Sequence, residues 1–313
     1  MPLTLARAAL ATTTPDRELS TRAWRPFTAD IADVLCIEES CEAFVPRMHG
    51  RYAVTLVRSA AVVRCESSRS LVAAPNCVLL VPALQLYSLR AQGRSNGGVV
   101  TLLVGAPDLD GLEVTDRSTL ITDFEVVTAV ETLVAELSQA VGSLESTTSM
   151  RSVLARLTSR SAAIPLPGAQ GASLSRVRDF LRDNPGAPVT IADLAEQAGY
   201  TESHFIRAFH REFGLPPHAY HLRRRLAAAG ELLADGLSVS TVAYECGFAD
   251  QSHLSRKFKE VYGLTPAAWA TAVSGGSRRK GPAKASSPGV SRSPARTARV
   301  MPLVTKELAW RRS

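Results

Sequence analysis

No stretch of this 313-residue sequence approaches the roughly 20 consecutive apolar residues that a helix needs to cross a bilayer. No membrane partner is therefore expected. The opening MPLTLARAALATTT places Arg7 inside its short apolar stretch, where a secretion signal excludes charge. The expectation is a cytoplasmic protein. Cysteine is sparse and unpatterned: Cys36, Cys41, Cys65, Cys77 and Cys246 are odd in number, with no CxxC spacing. Neither a zinc site nor a disulfide framework follows. Reduced, buried thiols are the plain reading, and a redox pair of Cys36 and Cys41 is the sharper alternative. Histidine is scarcer still in the first half, where residues 1–172 hold only His49. A metal-dependent enzyme needs a cluster of histidines and carboxylates, so that class is disfavoured. No GxSxG elbow supports a hydrolase. Neither catalysis, a metal nor a cofactor is expected.

What is present is a chain with 45% hydrophobic residues and a net charge of +7. Such a composition suits a globular protein, and the length suits two domains. The charge invites a nucleic-acid reading, but its distribution undercuts that inference. Residues 272–313 carry ten Lys/Arg against Glu307, or +9, leaving −2 for the rest. Residues 173–271 hold eleven basic and eleven acidic side chains. Any DNA argument must therefore rest on where individual residues lie.

The chain divides by pattern. Residues 1–19 read as a flexible terminus. From residue 20 to about 120, VLCIEE, YAVTLV, AAVVRC, CVLLVP, LQLYSL and GVVTLLVG are β-rich runs separated by turn residues. Many short strands at this spacing indicate a sandwich or barrel. Phe124, Val127, Val130, Val134, Leu137 and Val141 then recur at helical spacing, and a second short helix fits Met150–Leu157. This hairpin would pack on the strands or pair with another subunit. A first domain over 20–163 is followed by a Pro/Gly-rich linker at 164–172. A helical domain fills 173–273. The Ser/Pro/Gly/Arg-rich tail, 274–313, reads as disordered.

The helical domain contains a repeat. LAEQAGYTESHFIRAFHREFGLPPHAY, from Leu194, aligns with VAYECGFADQSHLSRKFKEVYGLTPAAW, from Val242. Ala195, Gly199 and Tyr200 match Ala243, Gly247 and Phe248. After one inserted residue, Phe205, Arg207, Phe209, Phe213, Gly214, Pro217 and Tyr220 match Leu254, Arg256, Phe258, Tyr262, Gly263, Pro266 and Trp269. In the first unit Thr190 and Asp193 form a capping-box pattern, Gly199 ends the first helix and Thr201 caps the next. Phe205, Phe209 and Phe213 recur every four residues on one face. Asp250 is the corresponding cap in the second unit. A short helix, a glycine turn and a longer helix make a helix-turn-helix. HLRRRLAAAGELLAD, between the units, would hold two reading helices about 34 Å apart on one side of DNA.

A structural helical repeat without a nucleic-acid role is the bland alternative. Against it stands the face opposite the phenylalanines. It carries Ser203, Ile206, Arg207 and His210 in one unit, and Ser252, Ser255, Arg256 and Lys259 in the other, with Gln251 in the first turn. Arginine at one place in both copies suits guanine or phosphate, and glutamine suits adenine. Thr201, His210 and Lys259 are placed for phosphate contact.

GFADQSHLSRKFKEVYGLTPAAW resembles the signature of the AraC/XylS family of bacterial transcription regulators, and AGYTESHFIRAFHREFGLPPHAY resembles that family's first helix-turn-helix. The likeness covers about 100 residues of the 313. It implies a seven-helix DNA-binding domain with base-contacting positions at Ser203, Ile206 and Arg207, then Gln251, Ser252, Ser255 and Arg256. Ile206 departs from a hydrogen-bonding residue, so Arg207 is left as the main reader of the first unit. Upstream, FVPRMHGRYAVTLV and NCVLLVPALQLYSLRA resemble strands of the cupin-like sensor domain found in many members, with Tyr87 where histidine is usual.

The expected class is α+β: an N-terminal cupin-like β-barrel with a helical hairpin, and a C-terminal all-α double helix-turn-helix domain. A barrel encloses space for a ligand, with Arg47, His49, Tyr52 and Tyr87 as wall residues. A small-molecule effector, double-stranded promoter DNA, a second copy of the chain and, for an activator, RNA polymerase are the expected partners. The alternatives are a constitutive regulator whose barrel only dimerises, a cupin enzyme with a DNA-binding appendage, and a protein-interaction module.

Overall fold

Alternation of side chains across a pleated strand gives this molecule two distinct apolar layers. In β3 (Tyr52–Val57), Tyr52, Val54 and Leu56 belong to one buried cluster, while Ala53 and Val57 belong to another. The neighbouring strands divide in the same way. The first cluster is closed by two helices, α1 (Phe124–Ser138) and α2 (Leu144–Ser159). Val126, Val130, Leu133, Val134 and Leu137 of α1, with Met150, Val153, Leu154 and Leu157 of α2, cover Val54, Leu56, Val78, Leu80, Val100 and Leu102. Each such side chain contributes about 1.5–3 kcal/mol on burial. The apolar stripe of the hairpin is turned onto the sheet.

This architecture comes from a computed structural model that describes residues 20–24, 34–41, 45–66, 70–92, 97–112, 117–138, 144–159, 164–165 and 172–273. The expected flexible terminus 1–19 and basic tail 274–313 lie outside the described residues, as do Val141 and residues 166–171 of the expected linker.

The six strand runs expected from the sequence are β2 (Val34–Cys41), β3, β4 (Ala61–Cys65), β6 (Cys77–Val81), β7 (Tyr87–Ala91) and β8 (Gly97–Val104). Four short or edge strands complete the set: β1 (Ser20–Trp24), β5 (Leu71–Ala73), β9 (Thr119–Ile121) and β10 (Ile164–Pro165). They form an antiparallel seven-stranded sheet in the order β1-β2-β8-β3-β6-β9-β10 and a three-stranded sheet in the order β5-β4-β7. The expected barrel is therefore not closed. The chain leaves the larger sheet after β3 and again after β6, returning after β5 and β7, and three-residue β5 remains an edge, so no continuous ladder encircles the interior. Tyr87 of β7 exchanges backbone hydrogen bonds of 2.9 and 3.0 Å with Arg47, in the segment before β3.

Two helix details differ from expectation. α2 is 16 residues long, about twice the Met150–Leu157 segment legible from apolar spacing. Phe124 is 82% exposed, because it lies in the first turn of α1, before the stripe that meets the sheet begins at Val126.

Seven helices follow: α3 (Ala172–Asp183), α4 (Ile191–Ala198), α5 (Glu202–Phe213), α6 (Pro217–Ala234), α7 (Val239–Glu245), α8 (Gln251–Tyr262) and α9 (Pro266–Val273). They make two lobes with different cores. Leu174, Val177, Leu181, Leu194, Phe205, Phe209, Phe213 and Tyr220 form the first. Leu226, Leu233, Val242, Leu254, Phe258, Tyr262 and Trp269 form the second, which continues into the cluster between the two sheets.

Because Phe209 touches Phe205, Phe213 and Tyr220 at ring separations of 5.6, 4.5 and 5.6 Å, Phe209→Ala leaves a cavity that costs about 3–5 kcal/mol. Urea unfolding is expected to show that loss. Amide exchange is expected to accelerate in α4–α5 more than in α8–α9.

Candidate nucleic-acid interface

Each helix-turn-helix is set by local chemistry. At the start of α4, the Thr190 hydroxyl accepts from the Asp193 amide at 3.1 Å, and the Thr190 amide donates to the Asp193 carboxylate at 3.3 Å. This is the expected capping box. Gly199 ends α4 at φ 75°, a left-handed conformation that disfavours residues with a Cβ. Thr201 stands at the cap position of α5 but makes no side-chain capping bond. In the second unit Gly247 turns the chain at φ 69°, and the Asp250 carboxylate accepts from the His253 amide at 2.7 Å. Edge contacts steady both helix starts: Tyr200 on His204 at 4.7 Å, and Phe248 on His253 at 5.4 Å.

Burying one face of each second helix leaves the opposite face outward. On α5, Ser203, Arg207 and His210 are exposed and Ile206 is 37% exposed. On α8, Gln251, Ser252, Arg256 and Lys259 are exposed and Ser255 is half-buried. Thr201 is also exposed. Among the described residues, neither the Arg207 nor the Arg256 guanidinium enters an ion pair or hydrogen bond. Two outward cations at matched positions of two helix-turn-helix units can meet phosphate or the O6/N7 edge of guanine.

The basic run Arg223-Arg224-Arg225 is used differently. Arg223 donates from Nε to the Pro46 carbonyl at 2.6 Å. Arg224 donates to the Arg182 carbonyl, and Arg225 to those of Cys246 and Gly247. The Arg225 guanidinium also lies 4.2 Å over the Phe248 ring. These arginines hold the fold together.

Of the four expected ligand-wall residues, three meet. Arg47 pairs with Glu39 in the interior, and His49 Nε2 lies 3.1 Å from the Tyr87 hydroxyl. Tyr52 is on the other face of β3, against the helical hairpin. Strand alternation separates it from Tyr87. Cys36, Cys65, Cys77 and Cys246 are buried free thiols, and burial raises the pKa of each. That chemistry disfavours the reactive thiolate required of Cys36 in a redox pair. The side chain of Cys41 lies outside the described residues.

Sequence reasoning missed the seam between the sheet domain and the helical domain. Met48 and Leu86 are buried within the core of the first lobe. The Tyr262 hydroxyl, at the end of α8, donates to the Met48 carbonyl at 2.6 Å. Arg51 pairs with Glu231 of α6 at 2.9 Å. A Cβ on Gly50 would come within 2.5 Å of the Glu231 side chain, which would have to shift to admit it. His49 sits between Tyr87 and Tyr262, with ring centroids 5.9 and 5.5 Å away. The GR pair at 50–51 was the one faint signal in the sequence, and nothing there paired it with a helix 180 residues on.

Two glycine-turned helix pairs on a shared helix define a tandem helix-turn-helix protein. A family profile described as a helix-turn-helix domain matches residues 194–272. The probable transcriptional regulator LumQ of Photobacterium leiognathi is 33% identical over 91 residues, which are 29% of this chain and 37% of LumQ. The chain spans about a third of the length of the curated relatives it first matches. A solved probable AraC family transcriptional regulator from Rhodopseudomonas palustris is 30% identical, over 31% of this chain and 94% of that one, with a TM-score of 0.30. ToxT from Vibrio cholerae aligns over 82% of this chain and 98% of its own, at 14% identity and a TM-score of 0.44. The HTH-type transcriptional activator AarP of Providencia stuartii is 31% identical over 98 residues, which are 31% of this chain and 73% of AarP, and the chain belongs to the AraC family of transcriptional regulators.

Burial, aided by the charge of Arg47, pulls the His49 pKa from its ordinary 6.5 down to about 3. The folded chain keeps this ring neutral, whereas the unfolded chain protonates it below pH 6.5. Stability therefore falls as pH drops from 6.5 towards 3, by up to about 1.4 kcal/mol per unit from this residue. Urea melts at pH 7 and pH 5 are expected to show a smaller acid loss for His49→Gln than for the wild type. Equal losses would remove His49 from this role.

Proposed function

We propose that this chain is a sequence-specific DNA-binding transcription regulator that reads double-stranded promoter DNA with α5 and α8. The observation that carries the reading is the matched pair Arg207 and Arg256, outward and unpaired on equivalent helices. The second unit adds Gln251, Ser252 and Ser255, which can hydrogen-bond base edges. The first has Ile206 on its face, suited to a thymine methyl. The second unit accordingly supplies at least half of the sequence discrimination. Thr201, His210 and Lys259 contribute phosphate contacts, and the basic tail adds sequence-neutral, salt-sensitive affinity.

The regulator acts in the cytoplasm without enzymatic activity, as a homodimer, and engages RNA polymerase if it activates. A small effector acts through the sheet domain. The buried group of Arg47, Glu39, His49 and Tyr87 supports that part of the reading. It joins the sheets at the same place where His49 and Met48 meet α8, so a change there reaches a reading helix.

Selection of duplexes from a random library, followed by footprinting, tests the assignment. Arg256→Ala is expected to cost about 1–3 kcal/mol, concentrated at one base position. Arg207→Ala is expected to act likewise in the other half of the footprint. An unchanged footprint and affinity for both variants would refute the reading. Deleting 274–313 is expected to weaken binding with sequence preference intact. The same deletion is expected to flatten the salt dependence, by about 0.9 in log–log slope for each phosphate the tail no longer neutralises.

A further inference from the structure

The apolar cores of the two lobes are separate clusters, and both pack on α6. A polar junction lies between them. The C-terminal end of α3, in the first lobe, and that of α7, in the second, both point their carbonyls at one face of α6. Arg224 bonds the Arg182 carbonyl, and His221 Nε2 lies 3.3 Å from the carbonyl of Asn184, just past α3. Arg225 bonds the carbonyls of Cys246 and Gly247, just past α7. Carbonyl ends of helices carry partial negative charge, and cations there are favourable. Half-buried guanidinium groups without such partners would be costly. The two helix ends also touch directly. A Cβ on Gly186 would lie 3.1 Å from the Glu245 carbonyl oxygen, and one on Gly247 3.4 Å from the Gly186 carbonyl oxygen. The turn between α7 and α8 thus rests against the corner between α3 and α4 with no side chain between them.

We infer that this junction, centred on Arg225 and the Gly186–Gly247 contact, is a spacer that fixes the number of base pairs between the two halves of the DNA site. The inference rests on the proposed DNA reading. Arg225 is a positioning residue: it bonds the carbonyls of the turn that launches α8. One base pair displaces a half-site by about 3.4 Å and about a tenth of a turn, so a rigid junction penalises any change of spacing.

The full-length chain is used to select a site from a random duplex library. Affinity is then measured for that duplex and for versions with one base pair inserted or removed between the footprinted halves. For the wild type, each change of spacing is expected to weaken binding at least about tenfold, the scale of one mismatched base pair. Arg225→Ala is expected to reduce that penalty to below about threefold while base preference within each half is unchanged. Arg225→Lys keeps the charge but not the forked geometry. It is expected to fall between the two, and it preserves the test if the alanine variant does not fold. Gly186→Val, in a loop, wedges the contact apart and is expected to move the preferred spacing or broaden it.

A specific wild-type footprint with no spacing penalty overturns the spacer alone. So do variants that lose affinity equally at every spacing. Absence of any specific footprint overturns the DNA reading and the spacer together.

Discussion

Three consecutive arginines of α6 donate to carbonyl oxygens in three separate parts of the chain: the loop before β3, the end of α3 and the end of α7. The same helix also buries Leu226, Ala229 and Leu233 in the second lobe and places Tyr220 and Ala227 in the first. One helix therefore positions two reading units and the sheet domain at once. Apolar burial supplies most of the stabilisation, but it is non-directional. The arginine–carbonyl bonds give it direction, because a planar guanidinium donates only along fixed lines.

The seam between the domains follows the same logic. Met48 and Leu86 enter the first lobe's core, and Tyr262 ties the last turn of α8 to the Met48 carbonyl. Glu66 is buried beside Tyr220 and Arg178 and accepts from the Leu86 amide at 3.2 Å. Burial raises its pKa, while Arg178 and the hydrogen bonds pull the other way. The sheet domain thus touches both lobes, through groups whose charge or hydrogen bonding is sensitive to small displacements. The reading faces of α5 and α8 remain outward on the far side of each helix's buried stripe.

Periodicity made much of this legible. The tandem units, the capping box at Thr190, the turn at Gly199 and the cap at Asp250 are local features that depend on residues three to five apart. The six longer strands were legible for the same reason. The closure of the sheets was not, because strand spacing alone does not say whether a ladder returns to its start. Phe124 and Tyr52 show the same limit. Helical spacing enrolled Phe124 in a buried stripe that begins one turn later, and proximity in sequence grouped Tyr52 with residues on the opposite face of the sheet.

The arginines show where the boundary falls. By itself, the sequence determined that two copies of a helix-turn-helix exist and which face of each second helix turns outward. Amphipathic spacing and caps are one-dimensional patterns, and Arg207 and Arg256 follow from them. Only the tertiary structure decided that Arg223, Arg224 and Arg225, an equally basic run, are hydrogen-bonded inside the protein. Their partners lie from 21 to 177 residues away. A carbonyl that distant becomes a partner only when the folded chain brings a helix end to the guanidinium, and no pattern of residue types along the chain encodes that meeting.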